Sequence, residues 1–360
     1  MKTLRTVAFL LSTALLASVF VGCAPASTTL KIALLLPDSK TARYEAFDRP
    51  IFEQRVHELG DFDVMYSNAD QDAAKQQAQA ESALASGVSV LVLDPVDGAA
   101  AVSIVAAANA QGVPVVSYDR LVLGGDLAYY VSFDNEKVGA LQGTALVQKL
   151  EEDGAQGGIL MVHGSPTDNN AGDFKRGALR AINNSDFTIL AEFDTPDWSP
   201  DKSQEWVAGQ LTQYSGQFSA IYAANDGTAS GAIAALKAAN VSPWPIVTGQ
   251  DAELAAIQRI IVGEQYMTVY KAIRFQAERA AEVAVALALG ETVTGESHAW
   301  VEWFCGDWRG YDPTNLIDIG DRHVGVGRGR DYNDIAPLRG VYAGTGGSQL
   351  FVKVEITRES

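Results

Sequence analysis

Residues 88–118 read VSVLVLDPVDGAAAVSIVAAANAQGVPVVSY, and this stretch decides the fold. It begins with an unbroken apolar run at 88–93, which is typical of a strand buried on both faces of a sheet. An alanine-rich helical segment at 97–111 follows and ends before Gly112, and a second apolar run occupies 113–118. Strand, helix and strand in this order predict two parallel strands joined by a right-handed crossover.

The same alternation extends from residue 30 to about residue 290. Further strands are predicted at 31–35, 63–66, 129–133, 158–162, 188–193, 220–223, 245–248 and 266–269. Further helices are predicted at 70–86, 136–150, 172–183, 200–214, 228–239, 252–262 and 272–289, and an earlier helix begins or kinks at Pro50. This pattern predicts an α/β fold with parallel sheets. Because the chain is longer than one hydrophobic core usually serves, we expect two similar lobes, each a parallel sheet flanked by helices.

Residues 1–22 are predicted to be an export signal. Lys2 and Arg5 precede an apolar run at 7–21, which is too short to span a bilayer comfortably. The run ends at Gly22-Cys23, and a cysteine directly after a small residue at this place indicates a lipoprotein signal with lipid on the Cys23 thiol. Ordinary cleavage at 24–27 is the alternative. We therefore expect a protein outside the cytoplasm, either lipid-anchored or periplasmic.

Composition excludes several classes of function. The formal net charge is -17, which disfavours a nucleic-acid partner because phosphate binding needs a basic surface. Cys305 is the one cysteine left after the signal, so no disulfide framework is expected. The four histidines lack metal-ligand spacing, and the sequence contains no His-Glu-x-x-His, no Gly-x-Ser-x-Gly and no phosphate-binding loop. We expect a monomer without metal, cofactor or catalytic activity, although a glycoside hydrolase or isomerase is the enzymatic alternative.

Polar and aromatic side chains follow most of the predicted strands, where parallel sheets bind ligands. The candidate ligand-binding residues are Arg43, Tyr44, Asp119, Arg120, Asp168, Asn170, Trp198, Asn225, Asp251 and Lys271. Carboxylate, amide and guanidinium groups match sugar hydroxyls, which both donate and accept hydrogen bonds, and flat rings match the apolar faces of a pyranose. Asn225 and Asp251 are equally consistent with helix caps.

Three candidate cations balance three candidate carboxylates, which favours a neutral ligand. Carboxylates beside Arg43, Arg120 and Lys271 are expected to have lowered pKa values, which suits acceptance of hydrogen bonds rather than acid catalysis.

The chain resembles the type I periplasmic sugar-binding proteins, and among them those that bind xylose. The matching segments are YDR at 118–120, SFDNEKVG at 132–139, GSPTDNNA at 164–171, ND at 225–226, GQDA at 249–252 and MTVYK at 267–271. They occur in family order across residues 30 to about 290, so the resemblance covers most of the mature chain. Tyr44 stands where the xylose-binding members have a tryptophan, which shrinks the stacking surface.

The resemblance implies two lobes joined by three crossing strands, with a sugar held at the hinge. The N-terminal lobe is expected at 29–122 and 252–292, and the C-terminal lobe at 123–251 and 348–360. The resemblance also assigns the ten candidate residues to sugar contacts. It implies a substrate-binding component that delivers a neutral aldose, with D-xylose the first candidate and glucose or arabinose the alternatives, to the permease of an ABC importer. Docking to a chemoreceptor or sensor kinase is the alternative role.

Residues 295–347 depart from the family pattern. The family passes from its last long helix to the third crossing strand through a short loop, whereas here a stretch rich in Trp, Gly, Arg and Asp intervenes. We predict an irregular insertion at 295–347. The run at 349–356 then resembles the displaced crossing strand, and the segment that normally follows it is truncated or missing.

Overall fold

The computed structural model describes residues 29–293 and, beyond them, the backbone of three short strands at 301–304, 308–312 and 317–318. The chain divides into two units, Met1–Val293 and Thr294–Ser360. The predicted export signal at 1–22, Cys23, Cys305 and the predicted crossing strand at 349–356 lie outside the described residues.

Five parallel strands form the first sheet, in the order β2-β1-β3-β4-β5. Their bounds are Leu30–Leu36 (β1), Phe62–Asn68 (β2), Val90–Leu93 (β3), Val115–Tyr118 (β4) and Tyr129–Val131 (β5). One face carries the helices α1 (Arg49–Leu59) and α9 (Ile273–Ala288), and the other carries α2 (Ala73–Ala85) and α3 (Val102–Ala110). The central strands are buried on both faces, which explains their unbroken apolar runs.

Four parallel strands form the second sheet, in the order β7-β6-β8-β9. Their bounds are Gly158–His163 (β6), Ile189–Asp194 (β7), Phe218–Ala223 (β8) and Ile246–Val247 (β9). Helices α4 (Asn135–Glu152) and α5 (Asn169–Ile182) cover one face, and α6 (Pro200–Gln213) and α7 (Asp226–Ala238) cover the other. The last helix of this lobe is α8 (Leu254–Ile261).

The segment 266–269, which the sequence predicts to be a strand, runs beside β9 without forming a continuous ladder. Val269 meets Gln250 in an isolated bridge, and the backbone N–H of Tyr266 donates to the carbonyl of Val247 at 2.8 Å. This segment leads into α9, which packs on the first sheet, so the polypeptide crosses back between the lobes here.

Both predicted lobe boundaries fall too early in the chain. Strand β5 pairs with β4, so the first lobe extends to Val131 rather than to residue 122. Helix α8 lies beside α7 in the second lobe, where Arg259 Nη2 donates to the carbonyl of Asp226 at 3.0 Å, so residue 252 does not begin the return to the first lobe. That return begins near α9.

Three antiparallel strands, β10 (Val301–Phe304), β11 (Trp308–Asp312) and β12 (Ile317–Asp318), are described in the second unit. The prediction of an irregular stretch at 295–347 is therefore wrong over these strands. Aromatic residues such as Trp303 and Trp308 favour strands, and the glycine and charged residues around them hid this preference. Among the residues described, no helix has both the length and the apolar character needed to cross a bilayer.

Candidate functional site

Loops at the carboxyl ends of the two sheets enclose one cavity between the lobes. The space between atoms there is about 290 Å³, including the part that is open to solvent. The ten residues selected from the sequence all line this cavity: Arg43, Tyr44, Asp119, Arg120, Asp168, Asn170, Trp198, Asn225, Asp251 and Lys271. Thr41, Phe174 and Gln250 line it as well.

Arg43 and Tyr44 reach the cavity from a π-helical turn, Tyr44–Asp48, that runs directly into α1. Such turns are rare in proteins as a whole, and those that occur are often found at functional sites. Pro50 lies in the first turn of α1, directly after this π-helical turn. The α-helix itself starts at Arg49, next to Pro50, but the helical backbone begins earlier, with the π-helical turn.

The Arg43 guanidinium is buried and forms a bidentate ion pair. Its Nη2 lies 2.7 Å from Asp48 Oδ1 and its Nε lies 3.0 Å from Asp48 Oδ2. Nη2 also donates to Gln276 Oε1 on α9 at 2.9 Å. Nη1 lies 3.5 Å from Asp119 Oδ1 and 4.0 Å from Asp251 Oδ1. Because Nε and Nη2 are occupied by the first lobe, Nη1 is the part of the fork that faces the cavity.

Asp119 follows β4 with a backbone φ of 55°, a left-handed conformation that non-glycine residues adopt rarely outside functional sites. Its carboxylate accepts hydrogen bonds from Tyr44 Oη at 3.0 Å and from Gln276 Nε2 at 3.1 Å. Burial raises the pKa of Asp119, but Arg43, Lys271 and the Gln276 hydrogen bond outweigh it, so the pKa lies below its usual value. Asp119 is therefore a charged acceptor, as expected from the sequence.

Arg120 is surrounded by carboxylates. Its Nη2 lies 3.2 Å from Asp38 Oδ2, and its Nε lies 3.0 Å from Asp168 Oδ2 and 3.7 Å from Asp94 Oδ1. Asp94 is fully buried, and neither of its carboxylate oxygens has a hydrogen-bond partner within the described residues. Burial raises the pKa of Asp94 well above its usual value, and the charges of Asp119 and Asp168 add to the effect. Arg120 is therefore held by Asp38 within its own lobe and by Asp168 across the cleft.

Asp168 caps the N-terminus of α5 and joins three partners. Oδ1 accepts the backbone N–H of Asn170 at 2.9 Å, and Oδ2 accepts Trp198 Nε1 at 3.1 Å and faces Arg120. Burial raises the pKa of Asp168 more than Arg120 lowers it. The expectation that every site carboxylate near a cation has a lowered pKa is therefore wrong for Asp168, because the cost of desolvation exceeds the gain from one shared cation.

Trp198 forms the flat wall of the cavity. It is buried, has a backbone φ of 52° and packs edge-on against Phe174, with 6.3 Å between ring centroids and 70° between planes. Gly164 lies directly beneath the indole, since a Cβ at this glycine would stand 2.0 Å from Trp198 Cη2. The glycine is required by this close approach.

Asn225 both caps a helix and lines the cavity. Its Oδ1 accepts the backbone N–H of Thr228 at 2.8 Å, which completes a capping box at the start of α7. The cap that the sequence suggested as an alternative is therefore present together with the cavity position. Asp251 is no cap, because Glu253 holds the N-cap position of α8.

Asp251 and Lys271 form an ion pair at the floor of the cavity. Lys271 Nζ lies 3.0 Å from Asp251 Oδ1, and it is also 5.6 Å from the ring centroids of Phe133 and Phe174. Both members of the pair are buried. The two phenylalanine rings fix the ammonium group by cation–π attraction and so orient Lys271 towards the site.

Two cavity-lining amide oxygens, Asn170 Oδ1 and Gln250 Oε1, have no hydrogen-bond partner within the described residues. Asp251 Oδ1 and Arg120 Nε are held by their ion pairs with Lys271 and Asp168. Buried polar groups are almost always satisfied in native proteins, so the two free amide oxygens mark the place of a polar ligand or water. The arrangement can accept hydrogen bonds from several hydroxyl groups at once.

Sequence reasoning missed some of the residues around the site. Asp94 follows the predicted strand at 88–93 and could have been found by the rule that selected the others. Gln250 lies inside the quoted GQDA segment. Gln276 is in the first turn of α9, and Phe174 is in the middle of α5. No local sequence signal identifies these last two, because their position depends on how a helix packs against a distant loop.

A cavity between two parallel α/β lobes, lined by ion pairs, amides and one indole, defines a two-lobed small-molecule-binding protein. The family model described as "Periplasmic binding protein domain" matches residues 32–292. The chain belongs to this family. The resemblance and the fold class predicted from the sequence are confirmed.

Two relatives are similar in sequence to this chain over most of their length. The D-xylose-binding periplasmic protein of Haemophilus influenzae is 36% identical over 271 residues, which cover 74% of this chain and 80% of that protein. The multiple sugar-binding periplasmic protein of Azospirillum brasilense is 31% identical over 288 residues, which cover 75% of this chain and 80% of that protein.

Solved structures of similar fold include two with a sugar. The ABC transporter solute-binding protein of Clostridium phytofermentans with bound β-D-glucose has a TM-score of 0.68 and 28% identity, covering 75% of this chain and 88% of that one. The carbohydrate transporter solute-binding protein of Chloroflexus aurantiacus in complex with D-glucose has a TM-score of 0.66 and 30% identity, covering 74% and 86% of the two chains.

Proposed function

We propose that this chain is the extracytoplasmic substrate-binding component of an ABC sugar importer, which closes its lobes on a neutral aldose and delivers it to the permease. The observation that carries the proposal is a cavity walled by Trp198 and lined by buried polar side chains, of which the amide oxygens of Asn170 and Gln250 have no partner within the described residues. Relatives with sugar-binding names support the ligand class. We assign no catalytic step to the chain.

The charges around the cavity favour a ligand without a negative charge. Three buried cations, Arg43, Arg120 and Lys271, face six buried carboxyl groups, Asp38, Asp48, Asp94, Asp119, Asp168 and Asp251. A sugar acid or a phosphate would meet surplus acceptors and no free cation within the described site. Hydroxyl groups, which donate hydrogen bonds to carboxylates, match this surplus.

D-xylose is the first candidate ligand. The 36% identity to a D-xylose-binding protein favours it, whereas the glucose-bound structural neighbours keep hexoses open. The resemblance drawn from the sequence sets Tyr44 where the xylose-binding members have a tryptophan; its ring is smaller than an indole, and its hydroxyl donates to Asp119. A single hydroxyl or hydroxymethyl group separates these sugars, a difference of about 1–3 kcal/mol in binding.

A thermal-shift screen with D-xylose, D-glucose, L-arabinose, D-ribose, a sugar acid and an amino acid tests the proposal. A ligand at one hundred times its Kd stabilises the folded protein by about 2.7 kcal/mol, which raises the Tm clearly. We expect shifts with one or more neutral aldoses, confirmed by calorimetric titration. Shifts confined to the sugar acid or the amino acid would refute the neutral-sugar assignment.

We also propose that Cys23 carries the lipid that holds the protein at the outer side of the membrane. Detergent phase partition of the protein from cells, compared with Cys23→Ser, tests this anchor: the wild type should enter the detergent phase and the variant the aqueous phase. Equal partition of both would leave a soluble periplasmic protein. Co-purification with the permease or with a chemoreceptor, with and without sugar, distinguishes the importer role from the sensor role.

A further inference from the structure

The two lobes are joined outside the cavity by hydrogen bonds that involve none of its lining residues. The backbone N–H of Gly98 donates to the carbonyl of Thr167 at 3.1 Å, and Thr167 Oγ1 donates to the carbonyl of Val96 at 3.2 Å. The backbone N–H of Leu121 donates to Asn169 Oδ1 at 2.7 Å. In each pair one residue follows a strand of the first sheet and the other follows β6 of the second. We call Thr167 and Asn169, with these three partners, the rim clasp.

The rim clasp alternates with the ligand-facing residues along the same stretch of chain. Asp168 lies 3.0 Å from Arg120, and Asn170 Nδ2 donates to the carbonyl of Asp119 at 3.2 Å. Successive residues at the start of α5 therefore contact successive residues after β4. Asp168 and Asn170 line the cavity, whereas Thr167 and Asn169 do not. At the start of α5, Asp168 and Asn170 thus face the cavity, whereas Thr167 and Asn169 join the two lobes.

Because their partners belong to different lobes, a movement that separates the loops after β3 and β4 from the start of α5 breaks these contacts. A protein of this kind binds its ligand with an apparent affinity that falls with the fraction of molecules able to close. Contacts made on closing that do not involve the ligand change this fraction and nothing else. Their effect on affinity is the same for every ligand.

We infer that Thr167 and Asn169 set the strength of sugar binding without taking part in the choice of sugar. This inference rests on the proposed function as a sugar-binding protein that closes around its ligand. Residues such as Trp198 and Asn170 would recognise the sugar, whereas Thr167 and Asn169 would stabilise the closed form. Because the clasp needs no ligand, it also stabilises the closed form of the empty protein.

The size of the effect follows from the exposure of the clasp. Thr167 is exposed and Asn169 is partly exposed, so water competes for both side chains. A net contribution typical of a neutral hydrogen bond corresponds to a factor of about two to ten in an equilibrium constant. Thr167→Val and Asn169→Ala should each weaken binding by such a factor, and the double variant by about the product of the two.

The experiment compares calorimetric Kd values of wild type, Thr167→Val, Asn169→Ala and the double variant for every aldose that binds. Asn183→Ala is the matched control, since Asn183 is an exposed residue at the other end of α5. We expect each clasp variant to lose about two- to tenfold for all sugars, with the ratios between sugars unchanged and the Tm of the empty protein unchanged. The control should bind as the wild type does.

A second measurement needs no ligand. Spin labels on α3 and α6, one in each lobe, report the fraction of closed molecules in the empty protein, and the clasp predicts a smaller closed fraction in the double variant. Unchanged Kd values, or losses that differ between sugars more than about threefold, would overturn the inference. A wild type that binds no sugar overturns the proposed function instead, and the closed fraction of the empty protein still decides whether the clasp exists.

Discussion

On the first-lobe side of the cavity, Arg43, Tyr44 and Asp119 are tied to one another and to Asp48 and Gln276 by short hydrogen bonds. On the second-lobe side, the lining residues leave acceptor oxygens free, and Trp198 and Asp251 have left-handed backbone conformations, with φ of 52° and 98°. The cavity-lining side chains on the first side are mostly paired with one another, whereas on the second side the amide oxygens of Asn170 and Gln250 have no partner within the described residues.

Under the proposed function, this difference predicts an order of events. A preassembled polar surface loses little conformational entropy when it receives a ligand, so the first lobe is suited to capture. The second lobe then supplies acceptors and the indole, which gain their partners when the lobes close. Strained backbone at such positions persists because the surrounding structure holds it.

The largest expected effect comes from breaking the first-lobe network. Arg43→Ala leaves Asp48 and Asp119 buried without their cation, and loss of one partner of a buried ion pair costs about 3–5 kcal/mol. Urea unfolding should show this loss in the free energy of unfolding. Arg49→Ala, which removes a half-exposed arginine six residues along the chain, should cost no more than about 1 kcal/mol. Equal losses in the two variants would mean that the first-lobe side is not preassembled.

The second-lobe wall is tested by Trp198→Ala. Stacking a sugar on one face of the indole removes roughly 100 Å² of its surface from water, which is worth about 2.5 kcal/mol or roughly 70-fold in affinity. Calorimetry with the bound aldose measures the loss. Trp206→Ala is the matched control, because Trp206 stacks on Phe193 in the same lobe and does not line the cavity. Trp206→Ala should lower stability and leave affinity unchanged. A loss of affinity in Trp206→Ala but not in Trp198→Ala would show that Trp198 is not the ring on which the sugar stacks.

Gly164→Ala also tests the second-lobe side of the cavity, but it removes no side chain that lines the site. The added methyl group would stand 2.0 Å from Trp198 Cη2, so the indole must shift. Overpacking of this kind costs about 1–3 kcal/mol in stability, and the displaced ring should weaken sugar binding as well. Gly209→Ala on α6, where nothing lies within 4 Å of the new methyl group, should leave binding unchanged and stabilise the helix slightly. Identical behaviour of both variants would contradict the close packing.

A dependence on pH is expected at the second lobe. The pKa of Glu253 is raised to about 7, chiefly by burial and also by the charges of Asp251 and Asp226. The backbone N–H of Ala42 and the charge of Arg259 act in the opposite direction. A carboxyl group with a raised pKa holds a proton more tightly in the folded state, so its contribution to stability is greatest at low pH. It is lost as the pH rises from the unfolded value towards about 7. We expect the free energy of unfolding to fall by about 2 kcal/mol between pH 5 and pH 7.5 through Glu253.

Glu253→Gln should flatten that slope, since the amide does not titrate. Asp226, whose pKa burial and Asp251 also raise to about 7, remains and keeps part of the dependence. Glu205→Gln, an exposed change on α6, should keep the whole wild-type slope. Urea unfolding at four pH values compares the three proteins, and a wild type whose stability is flat across this window would contradict the prediction.

The sequence predicted the alternation of strands and helices well because parallel sheets leave a simple signature, an unbroken apolar run followed by a helix. The predicted helix at 97–111 begins too early in the sequence. The structure begins α3 at Val102, since Gly98 is used in the rim clasp and Asp97 Oδ1 accepts the N–H groups of Ala99 and Ala100. Such a boundary is set by the other lobe and has no local signal.

The cavity residues were predictable for a related reason: the carboxyl ends of parallel strands meet at one edge. What the sequence could not predict is how their charges are balanced. Gln276, far along the chain on α9, joins Arg43 to Asp119, and Asp48 and Asp38 neutralise the two arginines from behind. The raised pKa of Asp168 also depends on burial, which only the packed structure reveals.

The return of α9 to the first sheet has a consequence for biogenesis. Its residues Ala277, Ala280, Ala281 and Ala284 complete the core beneath β1, together with α1. A chain synthesised from its N-terminus presents residues 29–131 long before this helix is made, so one face of the first sheet stays uncovered meanwhile. The second lobe, continuous from 135 to 271, builds its core without any residue of α9.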